Sequence, residues 1–164
     1  MKRTLIVLST LIALCAVSSC KKEPVNEHPL DGTWGFMSEE YVMKNASGAI
    51  TDQGKKEYNP FNPTNSDDMK LKITWTSGDD YSCESYSWHS EDKAWILNGT
   101  AFKVSIKDGN KFYAERMDGE LYEVGTITIS GDTFTIESTR NILSLLDETP
   151  SGTSYSKETY KKME

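Results

Sequence analysis

Cys83 and His89 are the only pairing in the chain that tempts a nucleophile-and-base reading. Six residues apart on one extended strand, they would share a face but lie about 20 Å apart, far beyond hydrogen-bond reach, unless a bulge or turn intervened. Neighbouring acids, Glu39-Glu40, Asp67-Asp68, Asp79-Asp80 and Glu91-Asp92, have the composition of general acid–base pairs. Adjacent strand residues, however, point to opposite faces, and adjacent turn residues are solvated. Asp67-Asp68 with Asn65 offers oxygens to a calcium ion but lacks the alternating ligands of a known calcium loop. No Gly-x-Ser-x-Gly elbow and no Cys or His pair at metal-ligand spacing occurs. These residues argue against an enzyme and require neither metal nor cofactor.

The aromatic residues are more informative. Tyr81, Tyr86, Trp88 and Trp95 fall within fifteen residues. Alternation puts Tyr86 and Trp88 on the face opposite Tyr81, Cys83 and His89. In a barrel one such face lines the lumen and the other meets solvent or a partner. Two readings stay open: the rings fill a small core, or one face binds something. The candidate ligand contacts are Trp75, Tyr86, Trp88, Trp95, Phe102 and Val104.

The elements that must position them are strands. Met69, Leu71, Ile73 and Trp75 alternate with Lys70, Lys72, Thr74 and Thr76, the period-two pattern of a half-buried strand. Phe102, Val104 and Ile106 repeat it, as do Phe134 and Ile136. Asn98-Gly99, Asp108-Gly109-Asn110, Asp118-Gly119-Glu120 and Ser130-Gly131-Asp132 punctuate these runs as hairpin turns. The pattern predicts strands near 33–43, 69–76, 80–89, 94–106 with a break at Asn98-Gly99, 111–117, 121–129, 133–138 and 154–162. Eight or nine antiparallel strands in a domain of this length predict a barrel or sandwich. Lys44 to Asp68 reads as a long loop, and Asn141 to Asp147 as a short capped helix before the last strand.

Charge and the amino terminus narrow the setting. The 164 residues carry 18 bases and 25 acids, a net charge of -7. Such an acidic balance disfavours binding to nucleic acid or to a membrane through a polybasic patch. Lys2-Arg3 precedes an almost wholly apolar run from Leu5 to Val17, too short for a spanning helix but of signal-peptide form. Val17-Ser18-Ser19-Cys20 resembles the lipobox of bacterial lipoproteins, which implies a signal peptide over 1–19, a lipidated Cys20 and a tether over 20–30. The open alternative is an ordinary secretory signal with an incidental cysteine. Removal of residues 1–19 leaves 145 residues with 16 bases and 25 acids, a net of -9.

Asp31-Gly32-Thr33-Trp34 resembles the Gly-x-Trp signature that opens lipocalins, fatty-acid-binding proteins and the lipocalin-like lipoproteins of the Bacteroides group, the last most of all. Ile129 to Ile136 resembles a late hairpin of those domains, and Glu158-Thr159-Tyr160-Lys161-Lys162 their closing strand. The resemblance implies an all-β domain over 31–164: an antiparallel up-and-down barrel of about eight strands, with Trp34 plugging its closed end. It also implies an arginine over Trp34, for which only Arg116 and Arg140 remain after processing. Fatty-acid-binding proteins hold a carboxylate with Arg-x-Tyr on the last strand, whereas here Glu158 precedes Tyr160 by two.

Together these readings predict an outer-membrane lipoprotein of a bacterial envelope, periplasmic or surface-facing, that holds a small apolar or amphipathic ligand noncovalently. The rival reading is an envelope interaction module whose outward aromatics contact a glycan or a partner lipoprotein. Mass spectrometry of the mature protein is expected to find residues 1–19 absent and acyl mass on Cys20, with Cys20→Ala unprocessed or released from the membrane. An unmodified chain beginning elsewhere would overturn the assignment.

Overall fold

The computed structural model describes residues 28–144 and 149–163; the signal segment and Cys20 lie outside the described residues. Ten antiparallel strands follow one another: β1 (Gly32–Asn45), β2 (Ile50–Glu57), β3 (Met69–Ser77), β4 (Asp80–His89), β5 (Ala94–Leu97), β6 (Phe102–Lys107), β7 (Lys111–Glu115), β8 (Leu121–Ser130), β9 (Thr133–Leu143) and β10 (Pro150–Met163). Eight of them form a closed ring in the order β1-β3-β4-β6-β7-β8-β9-β10, completed where β10 pairs back onto β1. The fold is thus an antiparallel eight-stranded barrel. Strands β2 and β5 stand outside the ring, β2 paired with β1 and β5 with β4.

Short turns let the ring close. Asp108 and Gly109 have φ of 51° and 85°, the two positive values that a tight hairpin needs to match strand twist. Inside, alternate residues of the ring strands converge on one core: Trp34, Phe36, Ile73, Tyr81, Cys83, Val104, Phe112, Ala114, Ile127, Phe134, Ile136 and Tyr160 are all buried. Leu30, ahead of β1, is fully buried with them. Trp34 donates its indole N–H to the Leu30 carbonyl at 2.7 Å and meets Phe134 edge-on with centroids 4.8 Å apart. The cation over its ring is Lys162, at 5.5 Å, whereas Arg116 lies over Tyr122 instead.

Two sequence expectations are corrected. The stretch predicted as a long loop holds β2, whose charged Lys55, Lys56 and Glu57 leave no alternation to read; the ladder with β1 makes it a strand. The predicted helix is not formed by Asn141 to Leu143, which end β9 in register with β10 through Asn141↔Thr153 and Ile142↔Gly152. The rest of that prediction, residues 145–148, lies outside the described residues. Cross-strand pairing overrode the local apolar content that had suggested a helix.

Strand β1 belongs to two structures at once. On one edge it pairs with β10 from Thr33 to Asn45; on the other, Gly32–Gly35 pair with β3 and Ser38–Lys44 with β2. A bulge between Phe36 and Ser38 marks the change of partner. A Cβ on Gly35 would lie 2.5 Å from Pro60, so only glycine admits the segment that turns from β2 towards β3. That segment is organised around Asp68, a buried carboxylate receiving backbone N–H bonds from Asn59 (2.8 Å), Thr64 (2.8 Å) and Asn65 (3.3 Å). Because β8 pairs with β9 only as far as Glu137, the ends of β9, β10, β1 and β2 form a four-stranded apron beyond the ring.

Trp34→Ala should cost roughly 3–5 kcal/mol as a large-to-small core change, read as a fall in the denaturant midpoint. Burial alone would raise the Asp68 pKa, but the bonds from Thr64, Asn59 and Asn65 hold it below the usual carboxylate value. Its stabilising contribution is therefore complete above about pH 4 and is lost as pH falls through the lowered folded value. Asp68→Ala should destabilise by about 2–3 kcal/mol at pH 7, with the gap to the parent narrowing in melts run at progressively lower pH.

Candidate functional site

The six aromatic and aliphatic candidates do not meet in one place. Val104 is buried in the core and Phe102 packs against it. Trp75 sits at the closed end, 38% exposed, stacked on His28 with centroids 4.0 Å apart. Tyr86, Trp88 and Trp95 share the outer face of β4 and β5, where Trp88 is directly opposite Trp95. Cys83 is buried on the inner face, and burial, with Glu84 adding to it, pushes its thiol up to about 12. His89 Nδ1 instead lies 2.9 Å from Asp92. Strand β4 runs unbroken from Asp80 to His89, so the two residues stay about 20 Å apart and form no nucleophile-and-base pair.

The hollow that the fold does build lies at the opposite end from Trp34, over the inner face of the apron. It has a volume of about 470 Å³ and is lined by Glu39, Tyr41 and Met43 of β1, Asp52 and Lys56 of β2, Ser138 and Arg140 of β9, and Ser154, Ser156 and Glu158 of β10. Strand register fixes their layout. Lys56, Glu39 and Glu158 form the row nearest the core; Gly54, Tyr41, Ser156 and Ser138 form the next; Asp52, Met43, Ser154 and Arg140 form the outermost. Successive rows are about 7 Å apart, two residues of strand rise.

The floor is a chain of packed rings. Phe134 stacks on Tyr160 at 4.6 Å, Tyr160 leans on Phe36 at 5.1 Å, and Phe36 stacks on Tyr58 at 4.6 Å. Tyr160 donates its hydroxyl to Glu158 at 2.8 Å, and Ser138 and Ser156 share a hydrogen bond of 2.9 Å. Burial first, and then the Glu158 charge, raises the Tyr160 phenol well above its usual value. Burial together with Glu39, Asp67 and Glu158 raises that of Tyr58. Both phenols therefore stay neutral and sense a negative field.

Two of its sources, Glu39 and Glu158, stand in an unusual pairing. Glu39 and Glu158 are direct cross-strand partners, so their Cβ atoms lie about 5 Å apart, an arrangement that costs stability when both carboxylates are charged. Among the described residues neither has a cation within ion-pair distance. Glu40, by contrast, points to the other face, where Lys55 approaches it at 4.0 Å. The site can therefore accept a positive group between Glu39 and Glu158 and hydroxyl or anionic groups further out, at Ser138, Ser156 and Arg140.

Sequence reasoning singled out Glu158 and missed Tyr41, Ser138, Arg140 and Ser156. One signal was present. Ser154, Ser156, Glu158 and Tyr160 keep a single alternating phase, so polarity on the inward phase of the last strand marks where the core stops.

No protein-family model matches the chain, and no curated protein matches it. Among the solved structures that match are a designed and a redesigned β-barrel. A fluorescence-activating β-barrel of de novo design is 13% identical, with 81% of this chain and 93% of that chain covered and a TM-score of 0.36. A redesigned β-barrel is 15% identical over 83% and 93% of the two chains, with a TM-score of 0.38. A third structure, EF1p2_mFAP2b bound to DFHBI, is 14% identical over 82% and 94%, with a TM-score of 0.36. No ligand or activity passes from them to this chain.

Proposed function

We propose that the protein is a lipid-anchored, lipocalin-like barrel of a bacterial envelope, akin to the Bacteroides-group lipoproteins, that binds a small amphipathic molecule through its cationic end. The carrying observation is the Glu39–Glu158 pair, opposed across β1 and β10 inside a hollow; Lys56 is opposite Glu39 on β2, yet among the described residues no protein cation lies within ion-pair distance of either carboxylate. A wholly apolar ligand fits less well, because Val104 and its neighbours already occupy the closed end. The anchoring part of the reading is supported by the residues leading to Cys20, and the lipocalin likeness by Gly32 and Trp34 at the start of β1.

Binding needs no chemical step. An ammonium entering between the two carboxylates relieves their mutual repulsion in a partly dry site, where charges interact more strongly than in water. Tyr41 and Met43 cover the apolar part of the molecule at roughly 25 cal/mol per Å² of area removed from water. Ser138 and Ser156 supply hydroxyls for a polar middle, and Arg140, two rows out, suits an acidic tail.

Phenethylamine, phenylethanol and phenylpropanoate make a matched cationic, neutral and acidic series for calorimetry on the full chain in nanodiscs. The amine is expected to bind tightest. Glu39→Gln and Glu158→Gln should each weaken it roughly tenfold, about 1.4 kcal/mol, and Glu158→Arg should turn the preference towards the acid. An acid preference in the parent protein, or amine binding indifferent to both Gln variants, would sink the reading.

A further inference from the structure

The outer face of β3, β4 and β5 carries a second constellation that the hollow does not use. Lys70 of β3 is opposite Tyr86 of β4, Tyr86 is opposite Leu97 of β5, and Trp88 is opposite Trp95. The two indoles meet edge to face with centroids 5.5 Å apart. Over them lies the Lys70 ammonium, 4.8 Å from the Trp95 ring centre and 5.4 Å from that of Tyr86. Leu97 beside them is 41% exposed.

The ammonium is held by rings but not neutralised. The nearby carboxylate, Glu84, is already committed: it pairs with Lys72 at 3.3 Å and accepts the Tyr86 hydroxyl at 3.1 Å. Among the described residues Lys70 has no ion pair. Burial lowers its pKa, with no opposing contribution from an acid. A purely apolar partner laid over this face would bury an unpaired charge, which costs several kcal/mol. The occupant must bring its own anion.

Its size is bounded as well. An aromatic side chain offers about 150–250 Å², so three half-buried rings leave a few hundred at most, well short of the roughly 800 Å² that a stable protein interface takes from each partner. One or two pyranose rings match that area, and their C–H faces can lie against indole and phenol while a carboxylate or sulfate reaches the ammonium. We propose that the outer face of β3, β4 and β5 binds an acidic saccharide, stacked on Trp88 and Trp95 and charge-paired with Lys70.

Calorimetry on the full chain in phosphatidylcholine nanodiscs tests this with tetragalacturonate, the neutral galactose tetramer and hexaglutamate. Saturable tetragalacturonate binding is expected, at least tenfold tighter than either comparator and weakened by added salt. Lys70→Gln should remove most of the preference over the neutral tetramer. Trp88→Phe should weaken both sugars several-fold, and retained melting temperatures show that both variants fold. Lys70 lies outside the core, so its variant keeps the test valid if the Trp88 variant is unstable. Absence of saturable binding, equal affinity for hexaglutamate, or tetragalacturonate binding unchanged in Lys70→Gln would each overturn the proposal. Anionic phosphatidylglycerol vesicles that displaced the sugar and bound tighter would reassign the face to a lipid surface. Variants of Glu39 and Glu158 leave this face untouched, so its outcome is independent of that in the hollow.

Discussion

Closure of the barrel depends on how β1 divides its hydrogen bonds. Its full length is committed to β10 on one edge, but the opposite edge gives only Gly32–Gly35 to the ring strand β3. Past that point the ring has no wall on the β3 side, and the sheet continues as an apron paired to β2. A closed apolar end and an open polar end follow from this single division. The buried aromatics of β1, Trp34 and Phe36, lie towards the closed end, whereas Glu39, Tyr41 and Met43 lie where water can reach one side.

The bulge at Met37 decides which residues line that open end. Strict alternation from Trp34 and Phe36 would send Ser38, Glu40 and Val42 inward. One extra residue between Phe36 and Ser38 shifts the phase, so that Glu39, Tyr41 and Met43 face the hollow instead. The bulged carbonyl is not left unpaired, because Tyr58 donates its backbone N–H to Met37 at 2.9 Å. That same bond seats Tyr58 over Phe36 and finishes the aromatic floor. A local irregularity of one residue thus sets both the charge of the site and the last ring of its floor.

This is also why the fold was legible in the sequence and the site was not. Period-two runs such as Met69 to Trp75 and Phe102 to Ile106, punctuated by glycine turns, are enough to place the ring strands, since each buries one face and alternation records it. Strand β2 buries neither face, and its charged residues carry no such record. The hollow needs three facts that local pattern does not hold: the phase shift in β1, the pairing of Glu39 with Glu158 over a long separation, and the shortness of the β8–β9 ladder that frees Ser138 and Arg140. Alternation did separate the aromatic segment into two faces, Tyr81 and Cys83 on one and Tyr86 and Trp88 on the other, but which of them turns inward comes only from the closed ring.

The segment between β2 and β3 ties the two surfaces to one rigid support. Asp68 gathers its backbone with three N–H bonds, Pro60 locks it against Gly35 of β1, and the Asp68 carbonyl accepts the backbone N–H of Trp88 at 3.0 Å. Tyr58 at one end of the segment thus borders the hollow, and the last residue before β3 holds the strand that carries the outer indole. Sites perform best when their residues stand on elements fixed by their own packing. A carboxylate satisfied by backbone donors supplies that fixity without presenting a charge to either ligand. The two surfaces share a support yet differ in sign, an acidic pair inside and an unpaired ammonium outside, so one molecule is not expected to satisfy both.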